Sequence, residues 1–154
     1  MASNTFAEEL KEGYRRVAGC LSEEELRVVL RARDPINTGG LERNRLLAQI
    51  VCAYRTGPKQ LWGPVLLDLL APTLVLMLQG LRPVPPVIEE EEIRQQLVVE
   101  ALRSAATVPL LESGLQTRFR LTSRTYTNML RWLAREGRRR RGQVSFEGLG
   151  EAPR

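Results

Sequence analysis

The sequence predicts an all-α fold, a single bundle of about six helices. Apolar residues recur at intervals of three and four along most of the chain, no stretch alternates apolar and polar residues as a strand would, and Gly and Pro gather in clusters that separate segments of helical length. At 154 residues, 43% apolar and 27% charged, the chain has the size and composition of one globular domain able to bury a core.

The first helix is expected over 6–19, where Phe6, Leu10, Tyr14 and Val17 share one face. A second, over 23–33, opens at Ser22, whose hydroxyl can cap the turn while Glu25 three residues on reaches back to it. Asp34-Pro35 and Asn37-Thr38-Gly39-Gly40 then make a loop. Residues 1–40 therefore read as an N-terminal helical hairpin that either packs on the remainder or binds a partner. Leu46, Leu47, Ile50, Val51 and Tyr54 mark a third helix over 41–55, ended by Thr56-Gly57-Pro58.

The fourth helix is expected over 59–81 and carries Leu61, Trp62, Val65, Leu66 and Leu69. Pro64 is assigned to its tolerant first turn and Pro72 is expected to kink or divide it. Its apolar window, 65–81, is shorter than the roughly 20 residues a membrane span requires and is interrupted by Asp68, Pro72 and Gln79. No membrane partner is expected. The N-terminus lacks a basic start followed by an apolar run, so no secretory signal is expected and the cytoplasm is the anticipated location. Prolines at 83, 85 and 86 make 82–87 a stiff extended connector.

The fifth helix, 89–106, organises the functional reading. Ile93, Leu97, Val98, Ala101, Leu102 and Ala105 stack in one stripe that faces a core, and Glu89 to Glu92 favour the positive N-terminal end. The opposite face collects Glu92, Gln95, Gln96 and Arg103, with the apolar Val99 among them as a contact for a partner protein.

After a loop containing Pro109, a sixth helix over 115–136 carries Leu115, Phe119, Tyr126, Met129, Leu130 and Leu133. Between residues 115 and 141 nine arginines meet one acid, Glu136; the segment is +8 and the rest of the chain −3. Such asymmetry suits an anionic partner, foremost nucleic acid. Arg118, Arg120, Arg124 and Arg131 are interleaved with hydroxyls and Asn128, groups that suit phosphates and base edges. Arg138, Arg139, Arg140 and Arg141 form a run that attracts phosphate without reading sequence.

Two stretches resemble a known family. EEIRQQLVVEAL, 91–102, resembles E-D-L-V-Q-E-V-F-L-R-A-L in the second conserved region of bacterial RNA polymerase sigma factors, most nearly the extracytoplasmic-function type. FRLTSRTYTNMLRW, 119–132, is similar to that region's Y-R-I-A-R-N-L-A-L-D-L-L-R-R. The order of elements before the first of these stretches is also similar: a helix, a turn, then an apolar helix with a Pro near its end, although the turn here is Gly57-Pro58 and lacks the family's Asp.

The resemblance covers roughly 46–141. It implies that Glu92, Gln95, Gln96 and Val99 dock on the clamp helices of core RNA polymerase. It also implies that the sixth helix recognises the minus-ten promoter element and holds the opened strand of DNA. Phe119 and Arg120 then stand at the family's Tyr-Arg pair, Arg124 at its Asn, Asn128 at its Asp, and Met129, Leu130 and Arg131 at its Leu-Leu-Arg. Thr117 stands where the family has a Trp. An aromatic stacked on an unpaired base contributes about 1–3 kcal/mol, so the implied sequence preference is modest. The chain ends before the family's C-terminal helix-turn-helix could fit, which implies a protein acting alone or with a second polypeptide supplying that region.

An enzyme is not expected. There is no His, no Gly-rich phosphate loop and no metal-ligand spacing; Cys20 and Cys52 read as reduced thiols, and no cofactor is implied. The domain division is an N-terminal extension at 1–40, a sigma-region-2-like domain at 41–141 and a polar tail at 142–154. The function expected is transcription initiation or its regulation. The alternative is a helical protein-interaction adaptor whose Arg-rich C-terminus binds nucleic acid non-specifically.

Overall fold

The protein is described by a computed structural model covering residues 2–81 and 88–150, with side chains described for 5–81 and 88–142. Six helices account for it: α1 (Ala2–Ala18), α2 (Glu23–Ala32), α3 (Gly40–Thr56), α4 (Lys59–Gly80), α5 (Glu90–Thr107) and α6 (Thr117–Gly150). No strand occurs among the described residues. The expected connector at 82–87 and the last four residues lie outside them.

The bundle is built around α4, which packs against α1, α3, α5 and α6. Its Trp62, Val65, Leu66, Leu69, Leu70, Leu74 and Leu78 are buried, and they meet Phe6, Leu10 and Tyr14 from α1 and Leu47, Ile50 and Val51 from α3 in one core. Val29 and Ala32 of α2 belong to the same core. The N-terminal pair is thus part of the packed structure. Helix α4 is long and apolar enough to cross a membrane, and 61% of its most apolar window is buried inside the bundle.

Neither proline ends α4. Pro64 lies in the second turn of the helix, later than its expected place, and the helix runs unbroken through Pro72. An interior proline costs about 3 kcal/mol. Buried leucines contribute about 1.5–3 kcal/mol each, and Leu69, Leu70, Leu74 and Leu78 flank Pro72 on both sides while its own ring is exposed.

Local chemistry fixes the other ends. Ser22 Oγ accepts the Glu25 amide at 3.1 Å and Glu25 Oε1 accepts the Ser22 amide at 2.8 Å, the capping box the sequence predicts. Asp34 Oδ1 accepts the Ile36 and Asn37 amides and holds the loop before α3. At the far end of α5, the Arg55 guanidinium of α3 donates to the Ala105 and Val108 carbonyls, which no further helical turn satisfies. The last helix is longer than expected and continues from Thr117 to Gly150, into the stretch anticipated as a tail.

Candidate partner and nucleic-acid interfaces

Helix α5 buries the stripe its spacing predicts: Ile93, Leu97, Ala101 and Ala105 are buried, with Val98 and Leu102 half-buried against the core. Two polar residues join them. Ser104 lies at the contact with α6, where its Oγ is 3.1 Å from Thr125 Oγ1. Glu100, 2% exposed, accepts from Gln96 Nε2 at 2.9 Å and from Arg103 Nη1 at 2.9 and 3.1 Å. Its carboxylate is satisfied by neighbours one turn away on its own helix.

Each residue of the expected polymerase-binding face has a definite setting. Val99 is 44% exposed. Gln95 is exposed and donates to Glu91 at 3.2 Å. Gln96 is half-buried because it holds Glu100. Glu92 is half-buried and ion-paired with Arg140 of α6, whose Nη1 donates to it at 3.1 Å. The hydrogen bond from Arg140, strengthened by that residue's charge, holds the Glu92 carboxyl below the ordinary glutamate range.

The buried positions of α6 include Thr117, Leu121, Thr125 and Met129, four apart, and Gly137 two turns further on. Of the apolar residues expected on this helix, Met129 is buried and Leu115 and Leu133 are half-buried, whereas Phe119, Tyr126 and Leu130 are exposed, at 68%, 43% and 45%. Threonines can face the core because their hydroxyls bond to the preceding turn. Thr117 Oγ1 donates to the Gly114 carbonyl, and Thr125 Oγ1 is 2.7 Å from the Leu121 carbonyl oxygen.

The outward side of α6 and the loop before it form a groove of about 700 Å³, lined by Val108, Pro109, Gln116, Phe119, Arg120, Ser123, Arg124, Thr127 and Arg131. Arg120, Arg124 and Arg131 thus lie together along about three turns of helix, spaced roughly 6 and 10 Å along its axis. Arg120 reaches the Pro109 carbonyl at 3.4 Å, and its buried Nε has no partner. Phe119 contributes an exposed aromatic face. Gln116, Ser123 and Thr127 share the groove, and the signal that marks them is their polar spacing with the arginines at i, i+4, i+7, i+8, i+11 and i+15.

The remaining expected DNA contacts are placed elsewhere. Asn128 is half-buried beside the groove's stripe. The Arg118 amide donates to Asn44 Oδ1 at 2.9 Å, and its half-buried side chain lines a different cavity, under α4. In the basic run, Arg139 pairs with Glu136, and Arg140 joins Glu136 to Glu92. The hydrogen bond from Arg139 is the foremost cause of a lowered Glu136 pKa. Arg138 and Arg141 are exposed and make no ion pair among the described residues. No group of three or more acidic or thiol side chains that could hold a metal occurs among the described residues, and Cys20 and Cys52 are both free and exposed.

No family model matches this chain, and neither a curated protein nor a solved structure matches it.

Proposed function

We propose that the chain is a sigma-like transcription protein, binding core RNA polymerase through the outer face of α5 and single-stranded promoter DNA through the groove of α6. The observation that carries this reading is the juxtaposition in that groove of exposed Phe119 with Arg120, Arg124 and Arg131. Unpaired bases stack on aromatic faces while guanidinium groups neutralise the phosphates that follow. Thr117, at the family's Trp, is buried, so stacking falls to Phe119. Under this reading the protein works in the cytoplasm, needs no cofactor and catalyses no reaction itself.

Fluorescence anisotropy with a short single-stranded oligonucleotide tests the reading. Phe119→Ala is expected to weaken binding by about 1–3 kcal/mol and to leave the melting temperature unchanged, because the ring is 68% exposed. Equal affinity of the parent and the variant would contradict it.

A second reading, a protein-interaction adaptor, is favoured by a separate observation. Leu76, Met77, Phe119 and Tyr126 line an apolar groove of about 390 Å³ between α4 and α6. An adaptor would bind nucleic acid only through the run at 138–141, and Phe119→Ala would then not affect DNA affinity.

A further inference from the structure

Away from the groove, α1, the end of α2, the loop before α3, the first turn of α3, α4 and the first turn of α6 line a half-open cavity of about 770 Å³. That lies within the range of small-molecule sites, which are largely apolar with a few placed polar groups. Most of the wall is aliphatic, from Ala32, Leu69, Ala71, Pro72, Val75 and Leu76, and no aromatic side chain lines it.

Four cations, Lys11, Arg33, Arg43 and Arg118, and one carboxylate, Asp68, supply its charged groups. Two of these groups compensate each other. Arg33 Nε is 2.9 Å from Asp68 Oδ2, within ion-pair distance, but it is not aligned for a hydrogen bond, and its guanidinium stacks on Tyr14 at 4.5 Å. Lys11 has a long ion pair with Glu8 at 3.7 Å. Arg43 spends one N–H on the Thr38 carbonyl, at 3.0 Å, and Arg118 makes no side-chain hydrogen bond or ion pair among the described residues.

Two guanidinium groups, Arg43 and Arg118, thus line one space whose one lining acid, Asp68, is paired with Arg33, while Asp34, outside the lining, offsets Arg43 in part. Burial, and then repulsion from Arg43, lower the Arg118 pKa. An anion placed between them would relieve that cost and gain charged hydrogen bonds in a partly water-excluded setting.

We propose that this cavity binds a small organic anion with an aliphatic body, its carboxylate or phosphate head held by Arg43 and Arg118. The apolar wall takes the body, and the absence of a stacking face disfavours a nucleobase. Arg33 offsets the charge of Asp68, so the site remains cationic where the head group lies. The proposal does not depend on the transcription reading, since none of the three arginines of the α6 groove lines this cavity.

The test is isothermal titration of the full chain with decanoate, decyl phosphate, decanol and acetate. Saturable one-to-one binding of decanoate or decyl phosphate is expected, and the tighter of the two identifies the head group. Decanol, which lacks the charge, and acetate, which lacks the body, should each bind at least about tenfold more weakly. Arg118→Gln and Arg43→Gln should each weaken decanoate or decyl phosphate by about tenfold, whereas Arg124→Gln, outside the cavity, should not. Ala71→Phe, which fills the space, should abolish binding while circular dichroism remains helical. If that variant unfolds, the two Arg→Gln variants decide alone. The proposal is overturned if neither anion binds saturably at millimolar concentration, if decanol binds equally well, or if Arg124→Gln weakens binding as much as Arg118→Gln.

Discussion

Gly114 and Gln116 take left-handed backbone conformations just before α6, with φ of 75° and 60°, and only the first is a glycine. At Gly114 the conformation and the packing agree, because an added Cβ would lie 3.0 Å from Arg45 Cα and 3.3 Å from Ala48 Cβ on α3. Gly114→Ala is therefore expected to destabilise the fold by about 1–3 kcal/mol. Chemical denaturation would read this as a lower midpoint, and an unchanged midpoint would refute the account of the turn. Gln116 holds a conformation that costs a non-glycine residue about 1–2 kcal/mol, and it does so on the rim of the α6 groove. The loop was legible in the sequence from Pro109 and Gly114, but its hand at Gln116 was not, since no glycine announces it. Glu100 is a similar case. Its position flanking the α5 stripe can be read from spacing, whereas its burial depends on Gln96 and Arg103 both reaching it.

At the scale of the elements, all six helices were legible, because each has a period near 3.6 and a recognisable break. What sequence did not disclose was tertiary in origin. The helix α4 passes Pro72 because the core on both sides outweighs the cost of one proline. The inward face of α6 includes Thr125, bonded to its own helix, and Thr117, bonded to the loop before it, so the apolar residues alone do not disclose which side faces the core, and Phe119, Tyr126 and Leu130 lie outward. Resemblance and charge point to the groove arginines. Their separation from Arg118 follows from the phase of the helix, which only the packing reveals.

The ion pairs of Arg140 join the middle of α6 to the start of α5, and they make that joint sensitive to acid. Glu92 and Glu136 both have folded pKa values below their ordinary 4.5. Their contribution is complete above that ordinary value and is lost as the pH falls through the lowered ones. Asp68 has the opposite sign: burial raises its pKa, so its charge is a cost that protonation removes. Comparing the parent with Arg140→Gln isolates the joint. The protection of amides in 132–142, relative to their intrinsic exchange at each pH, should fall in the parent as the pH drops below the ordinary glutamate value, and in the variant it should already be low at neutral pH. Identical profiles would show that the ion pairs do not hold the helices together.

Over the whole molecule, an acidic and apolar bundle carries a basic last helix whose charges are not equivalent. Arg139 and Arg140 are engaged within the protein, whereas Arg138 and Arg141 make no ion pair among the described residues. Replacing Arg138 and Arg141 with Ala should reduce the salt dependence of duplex binding by a slope of up to about 0.9 per lost phosphate contact. Arg140→Ala should alter the slope less and stability more. The comparison is made by titrating affinity against salt, and a larger slope change for Arg140→Ala would contradict this division. In the transcription reading, these charges give general attraction to DNA and the groove gives a modest preference for an unpaired strand.

The most direct measurement of that reading is the affinity of bacterial core RNA polymerase for the full chain, compared with a variant carrying Gln95→Lys and Val99→Asp. Both side chains are exposed, so the exchange should cost little stability, within about 0.5 kcal/mol per site; Gln96 is left intact because it holds the buried Glu100. The account predicts that polymerase retains the parent protein and that the variant, with an unchanged circular dichroism spectrum, binds at least about tenfold more weakly. Failure of polymerase to retain the parent, or equal retention of both proteins, would contradict it.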